Sequence, residues 1–433
     1  MIDPLGIGYL SSYLKKVGHV VDIVQTKEED IKSKIIGYLP EILAYSVTTG
    51  KHKLYKELDN QIKLWYDAKS VFGGPHVTFF PQYITGEDIG IRGEGFDAFP
   101  ELVSCIEKGK DFGGLQNIVY QGKVNSLRPI KDKFGLLFPD RELMYKYPKN
   151  RNNPIKNIMC SFECPMSCTY CYNPKYKELY GITRSEIRKV NSVIEEVRQL
   201  EKYPLDLIFF QDDVFPINNQ KWIDEFVMNY RMRTNKKPFH IQIRIEMLTE
   251  DIVKKLKDAG LHGVTFAIES GNEGIRRTIL NRKMTEETII KGAELLNKHG
   301  IKIRTENIIG IPQETLKDME YTIKLNAKCK PDIAWASVYQ PYPGTSLGDQ
   351  CIEKGLFDGN LDNISETFFD TYRLKSNNTK QIERFQKLFS LMVLFSKYLW
   401  CFEPFLYLPL DKVYSLIYKK CKTYLYKKRL YAT

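Results

Sequence analysis

Apolar positions along the first hundred residues alternate between two periods. GIGYLSSYLKKVG (6–18) spaces its apolar residues at helical intervals and stops at a glycine, which predicts a helix. HVVDIV (19–24) is a short apolar run and predicts a strand. EILAYSVTTG (41–50) predicts a strand entering a small-residue loop, and LYKELDNQIKLWY (54–66) another helix. KSVFGGPHVTF (69–79) and IGIRGEG (89–95) each predict a strand that meets a glycine turn. Strands alternating with helices predict a parallel, doubly wound α/β sheet over residues 1–104. Ligands of such sheets bind at loops beyond the carboxyl ends of the strands.

Residues 105–153 read as a connector containing NIVYQGK and the proline- and charge-rich FPDRELMYKYPKNRNNP. A second α/β series fills 154–349. Its strand-like runs are IKNIMC, DLIFFQDD, FHIQIRIE, GVTFAIES, IKIRTENIIG and IAWASVYQPY. Six β/α units predict a partial or full barrel of TIM type, with its chemistry at the C-terminal strand ends. Residues 350–433 carry no strand signal and predict a helical segment with a basic, aromatic tail.

At 433 residues the chain exceeds one ordinary core, and 43% hydrophobic residues suit a globular protein. Its start, MIDPLGIGYL, lacks the basic and apolar regions of a signal peptide. A cytoplasmic protein with reduced thiols is therefore expected. The net charge is +11, and the last 23 residues supply +6 of it through six lysines and one arginine against one aspartate. No global nucleic-acid footprint is indicated. The most apolar stretch (388–410) is broken by Lys397, Glu403 and two prolines, and reads poorly as a membrane span.

Four of the nine cysteines fall within twelve residues, immediately after the first strand of the second series. Cys164, Cys168 and Cys171 form C-x3-C-x2-C, and Cys160 stands just before them. Thiolates at this density suit zinc or an iron–sulfur cluster. Zinc sites usually pair their cysteines across a longer loop. Three thiolates on a four-iron cluster would leave one iron open to a small molecule. Cys160 reads either as a fourth ligand or as a buried thiol on the strand.

The C-x3-C-x2-C spacing, with Tyr170 before the last cysteine, resembles the signature of the radical SAM (S-adenosylmethionine) superfamily. That resemblance implies a 4Fe-4S cluster on Cys164, Cys168 and Cys171, with SAM chelating the open iron. Electron transfer then splits SAM to a 5'-deoxyadenosyl radical. It also implies an electron donor such as flavodoxin or ferredoxin. Further positions resemble the family's strand-end motifs. Asp212 and Asp213 in QDD would meet the SAM amino group, and Arg244 its carboxylate. Glu269 and Ser270 in AIESG would meet its ribose or methionine moiety. Ile309 and Glu314 in NIIGIPQET would lie at the adenine, with Asn307 replacing the usual first glycine.

Residues 1–104 resemble the cobalamin-binding domain that precedes many radical SAM barrels. By that likeness Ser46, Thr48, Gly73 and Gly74 would line the nucleotide tail, and Gly93 and Glu94 would close the pocket. His76 is a candidate polar contact. The D-x-H-x-x-G spacing is met by Asp3, Leu5 and Gly8, but Leu5 cannot ligate cobalt. Family domains also begin with a strand before PLGIGYL, so the true start is expected upstream, or the domain is a fragment. The combined expectation is a cobalamin-dependent radical SAM methyltransferase acting on an unactivated carbon of a small-molecule or lipid-like substrate. The alternatives are a radical SAM enzyme without cobalamin, catalysing cyclisation or rearrangement, and a non-catalytic metal-binding module. The catalytic residues beyond the cofactor ligands are not readable. The basic tail, residues 411–433, is expected to contact an anionic membrane surface peripherally.

Overall fold

Helix and strand alternate through the first unit, Met1–Asn152, of the computed structural model. The structure describes residues 3–26, 29–130, 135–183, 186–369 and 371–425. The first unit runs α1 (Leu5–Lys16), α2 (Ile31–Tyr38), β1 (Ile42–Ser46), α3 (His52–Lys63), β2 (Lys69–Gly73), α4 (Pro75–Phe79), β3 (Ile89–Ile91) and α5 (Ala98–Glu107). Strands β1, β2 and β3 are parallel neighbours in that order. The sheet continues antiparallel through β4 (Ile118–Tyr120) and β5 (Lys123–Val124). Gln121 and Gly122 join these two with φ of 48° and 76°, the left-handed backbone a two-residue hairpin requires. Successive strand residues serve opposite faces. Val71 and Ile118 belong to one core with Leu14, Ile89 and Leu102, whereas Phe72 and Val119 belong to another with Val47 and Val77.

HVVDIV is not a strand. Residues 19–25 are irregular, and Val20 is 83% exposed. A short apolar run becomes a strand only where a neighbour completes its hydrogen-bond ladder. Among the described residues none pairs with it, and β1 forms the edge of the sheet.

The segment after the hairpin packs on α1 through polar contacts. Asp3 is buried and accepts hydrogen bonds from Arg141 Nη1 (2.9 Å) and the Tyr145 hydroxyl (2.8 Å). Arg141 and Tyr145 lie on and just after α6 (Arg141–Met144), which α7 (Pro148–Arg151) follows. A Cβ on Gly8 would stand 2.9 Å from Met144 Cε and 3.0 Å from Pro139 Cβ. Asp3 and Gly8 therefore have packing roles in the spacing that the sequence shares with a cobalt-binding motif.

The second unit, Asn153–Thr433, is built on six parallel strands. They are β6 (Ile155–Ile158), β9 (Leu207–Phe210), β10 (Phe239–Ile243), β11 (Leu261–Glu269), β12 (Lys302–Ile309) and β13 (Ile333–Val338). Each pairs with its neighbour in sequence order, so β6 and β13 end an open partial barrel. The small antiparallel pair β7 (Ser161–Phe162) and β8 (Glu186–Ile187) stands at the root of the cysteine loop. Helices α8 (Asn173–Tyr180), α9 (Val190–Leu200), α10 (Gln220–Arg233), α11 (Glu250–Ala259), α12 (Glu286–Lys298) and α13 (Leu316–Cys329) follow the strands. Thr249, Thr285 and Thr315 cap the last three by accepting backbone N–H groups. Beyond β13 the chain is helical: α14 (Ser346–Glu353), α15 (Thr379–Leu394), α16 (Leu399–Phe402) and α17 (Asp411–Leu425). Among the described residues no helix is long and apolar enough to cross a membrane.

Arg141→Ala would remove a buried guanidinium from the buried Asp3 carboxylate. We expect it to destabilise the first unit by about 3–5 kcal/mol, read as a lowered unfolding midpoint of the full chain in urea. An unchanged midpoint would show that the pair contributes nothing.

Candidate active site

The cysteine loop is fixed at its root by two buried side chains. Asp212, two residues beyond β9, accepts Cys160 N (2.9 Å), Ser161 Oγ (2.7 Å) and Ser161 N on one oxygen, Oδ1. From the other side, Arg188 receives no solvent. Its backbone N–H donates to Cys160 O (2.8 Å) and its guanidinium to Met159 O (2.7 Å). A fully buried ion pair with Glu196 on α9 holds that guanidinium at 2.5 Å. Further along, Thr169 Oγ1 donates to Ile279 O (2.5 Å), and Asn281 Nδ2 to Ser167 O (2.8 Å). The loop is therefore held at its root and along Ser167–Thr169 by the protein's own hydrogen bonds.

Cys168 is buried, while Cys164 and Cys171 are half-buried. Burial raises the thiol pKa of Cys164 and pushes that of Cys171 up to about 12. Iron bound there would supply the charge that makes these two groups thiolates. Two guanidiniums approach Cys168 Sγ, Arg244 Nη1 at 3.6 Å and Arg282 Nη1 at 3.9 Å. Cations beside a buried sulfur fit an anionic thiolate-bound cluster. Among the described residues no three His, Cys, Asp or Glu side chains are grouped as a single metal ion would require. A cubane asks for something else, three thiolates each on its own iron. Cys160 is outside this set. Its buried thiol faces Asp212 Oδ1 at 3.3 Å, and burial followed by that carboxylate holds it well above the usual thiol range.

Of the residues expected at SAM, Arg244 reaches Cys168 directly, and Tyr170 and Glu269 reach it through Arg282. The Tyr170 hydroxyl donates to Glu269 Oε1 (2.6 Å) and accepts from Arg282 Nη1 (3.3 Å). Glu269 ends β11 with φ of 66°, a strained conformation for a residue with a Cβ, at a register shift between β11 and β12. Arg244 follows β10 and binds Glu246 through Nε (2.8 Å) and Nη2. Asp213 accepts from Asn173 Nδ2 (3.0 Å), two residues beyond Cys171. Burial pushes Asp212 up to about 6, and its second oxygen, Oδ2, has no partner among the described residues. An orphaned buried acceptor beside the cysteine loop fits a ligand that carries an amino group.

Other expected residues serve their own loops. Glu314 accepts Gly310 N (2.8 Å), Ile311 N (3.2 Å) and Ser270 Oγ (3.2 Å). Burial raises its pKa to about 8. Ile309 belongs to the apolar core that includes Met319, Ile323 and Phe385. Asn307, the departure from the glycine motif, accepts from Asn326 Nδ2 of α13 (2.8 Å) and donates to Trp335 O (2.8 Å). It is thus a buried bracket between strand and helix. Sequence reasoning missed Arg282, Glu246 and Asn173. Arg282, in LNRK after the fourth barrel strand, carried a readable signal as a basic residue in a strand-end loop.

In the first unit, the expected cobalamin residues follow three neighbouring strands. Ser46 ends β1 and Thr48 follows it, both exposed; Gly73 ends β2 with Gly74 after it, and Gly93 and Glu94 follow β3, all four half-buried. Gly74 has φ of 93°, and a Cβ there would stand 2.9 Å from Val47 O. His76 is buried, bonded to Thr49 Oγ1 (3.1 Å) and stacked on His52 at 4.3 Å. The small side chains of Ser46, Thr48, Gly73, Gly74 and Gly93 leave room at these strand ends for a nucleotide tail.

Residues 158–325 match the radical SAM superfamily, and residues 2–103 match the B12-binding domain. An uncharacterized methyltransferase of Pyrococcus horikoshii is 31% identical, over 82% of this chain and 79% of its own. The chain belongs to the cobalamin-binding radical SAM family. Its cofactors are accordingly a 4Fe-4S cluster, S-adenosylmethionine and cobalamin, and it is a radical SAM enzyme. The anaerobic magnesium-protoporphyrin IX monomethyl ester cyclase of Rubrivivax gelatinosus is 26% identical, over 81% of this chain and 66% of its own. In fold, this radical SAM enzyme is similar to the radical SAM methyltransferase TsrM of Kitasatospora setae. The TM-score is 0.69 at 18% identity, over 82% of this chain and 74% of that one.

After anaerobic reconstitution, Cys164→Ala, Cys168→Ala and Cys171→Ala should each lose most of the iron, and Cys160→Ser should keep it. Iron loss in Cys160→Ser alone would overturn this ligand set. Asp212→Ala leaves two buried N–H groups unpaired, at about 1–3 kcal/mol each. Its iron content should fall by more than half, whereas Asp212→Asn, which keeps Oδ1, should retain it.

Proposed function

We propose that this enzyme transfers a methyl group to an unactivated carbon of a small-molecule or lipid-like substrate. The observation that carries the reading is the pairing of the cysteine loop with a cobalamin-binding unit, in a chain 31% identical to a protein named a methyltransferase. When bound, the cluster supplies the electron that cleaves SAM, and cobalamin supplies the methyl carrier. Cys164, Cys168 and Cys171 hold the cluster. Asp212 Oδ2 and Asp213 accept the SAM amino group, and the Arg244 and Arg282 guanidiniums face its carboxylate. Tyr170, Glu269 and Ser270 border the same ligand, with Glu314 and Ile309 shaping the strand end that meets its adenine. Ser46, Thr48, Gly73 and Gly74 take the cobalamin tail, closed by Gly93 and Glu94, and His76 supports that rim from beneath. A low-potential flavodoxin or ferredoxin supplies electrons in the cytoplasm. Peripheral attachment to an anionic membrane through residues 411–433 belongs to the same reading.

The cyclase relative favours one second reading, ring closure without methyl transfer. Product analysis separates the two. Supplied with SAM, reductant and candidate substrates, the enzyme loaded with both cofactors should form 5'-deoxyadenosine and S-adenosylhomocysteine. Cobalamin-free enzyme should lose the S-adenosylhomocysteine, and Cys168→Ala both products. A cobalamin-loaded enzyme that turns over a substrate to 5'-deoxyadenosine without S-adenosylhomocysteine would favour ring closure.

A further inference from the structure

Between α15 and α17 the chain turns its aromatic side chains outward. Phe395, Tyr398, Trp400, Phe405 and Tyr407 are 45–74% exposed, with Trp400 the most exposed. Solitary exposed apolar residues are ordinary, but a contiguous group marks a surface that meets something. This group is built rather than left over. Leu406 is buried, and Leu399 and Phe402 pack against the barrel-side core, so they anchor the segment from within. Arg384 of α15, itself buried, donates to Leu406 O (3.0 Å) and binds Asp411 through Nε (3.0 Å) and Nη2 (3.2 Å). The buried Tyr414 hydroxyl donates to Phe405 O (2.8 Å). Two polar side chains thus fix the short helical turns between α15 and α17 in the form that presents aromatics to the outside.

Charge decides what meets this surface. Residues 394–425 contain five lysines against Glu403 and Asp411, and Asp411 is already paired with Arg384. Lys397, Lys412, Lys419 and Lys420 are exposed. On α17, Val413, Leu416, Lys420 and Tyr424 are exposed at helical spacing, so one outward stripe mixes apolar and basic groups. A second copy docked symmetrically would bring two net-positive faces together. An anionic lipid surface satisfies both features, because Trp and Tyr favour the headgroup level and lysines favour anionic lipid.

We infer that residues 394–410 form a preorganised element that inserts shallowly into an anionic membrane, with the lysines of α17 supplying the attraction. This rests on the peripheral-membrane reading, and it places the apolar insertion ahead of the basic tail.

The test is co-sedimentation of the full-length, cluster-loaded protein with vesicles of phosphatidylcholine alone or mixed with phosphatidylglycerol. Binding to the mixed vesicles only, weakened at high salt, is expected. The triple variant Trp400→Ser, Phe405→Ser, Tyr407→Ser should bind at least about tenfold more weakly, from lost apolar burial. Its iron content and circular dichroism should match wild type; should it misfold, the single variant Trp400→Ser replaces it, with a smaller loss expected. Wild-type strength in the aromatic variants, with binding abolished by Lys412→Gln, Lys419→Gln, Lys420→Gln, would overturn the insertion element and leave the tail reading standing. No sedimentation of the wild type with either vesicle would overturn both. Self-association in solution that the aromatic variants abolish, without vesicle binding, would assign the surface to a second copy and overturn the proposal.

Discussion

Everything at the cysteine site depends on one carboxylate that joins two strands. Asp212, just beyond β9, takes the backbone N–H groups of Cys160, past β6, and of Ser161, which opens β7. Those donors lie where the chain leaves the barrel sheet for the short β7–β8 pair, and the carboxylate takes both of them. Each N–H left unmet would cost about 1–3 kcal/mol. Arg188 secures the carbonyls of Met159 and Cys160 on the opposite side. A cubane needs three thiolates at set separations, and a loop free to wander would lose much of its binding energy to ordering. Fixing the root and the Ser167–Thr169 stretch meets that ordering cost during folding.

Electrostatics around the loop complements this anchoring. Burial favours neutral thiols, yet Arg244 and Arg282 both lie near Cys168 Sγ. The surroundings thus suit an anion that arrives with its own iron charge. The same two guanidiniums are held by carboxylates, Arg244 by Glu246 and Arg282 by Glu269. Glu269 carries positive φ at the strand end, and Tyr170 shares its carboxylate. Strain of this kind persists where surrounding contacts over-determine it, here through Tyr170, Arg282 and the paired strand β12.

Much of this was legible in the sequence because it depends on local pattern. Six apolar runs gave six parallel strands in order, and the cysteine spacing lies just past the first of them. HVVDIV shows the limit: its composition is strand-like, but pairing is a property of a neighbour and cannot be read from the run itself. Ile309 and Asn307 show another. Their motif placed them at a strand end, but alternation along β12 turns both toward the packed core and α13. Asp212 was legible as an acidic residue at a strand end. Its partners, some fifty residues earlier in the chain, were not, since only the fold brings β6 beside β9.

The most direct test of the account is the metal content of the purified chain. It should be expressed with cobalamin supplied, reconstituted without oxygen, and assayed for iron, sulfide and cobalt. The account predicts about four irons, about four sulfides and about one cobalt per chain. Cobalt absent from a chain that holds its full iron would contradict the dual-cofactor reading. Iron absent under conditions where the chain is folded would contradict the account of the cysteine loop itself.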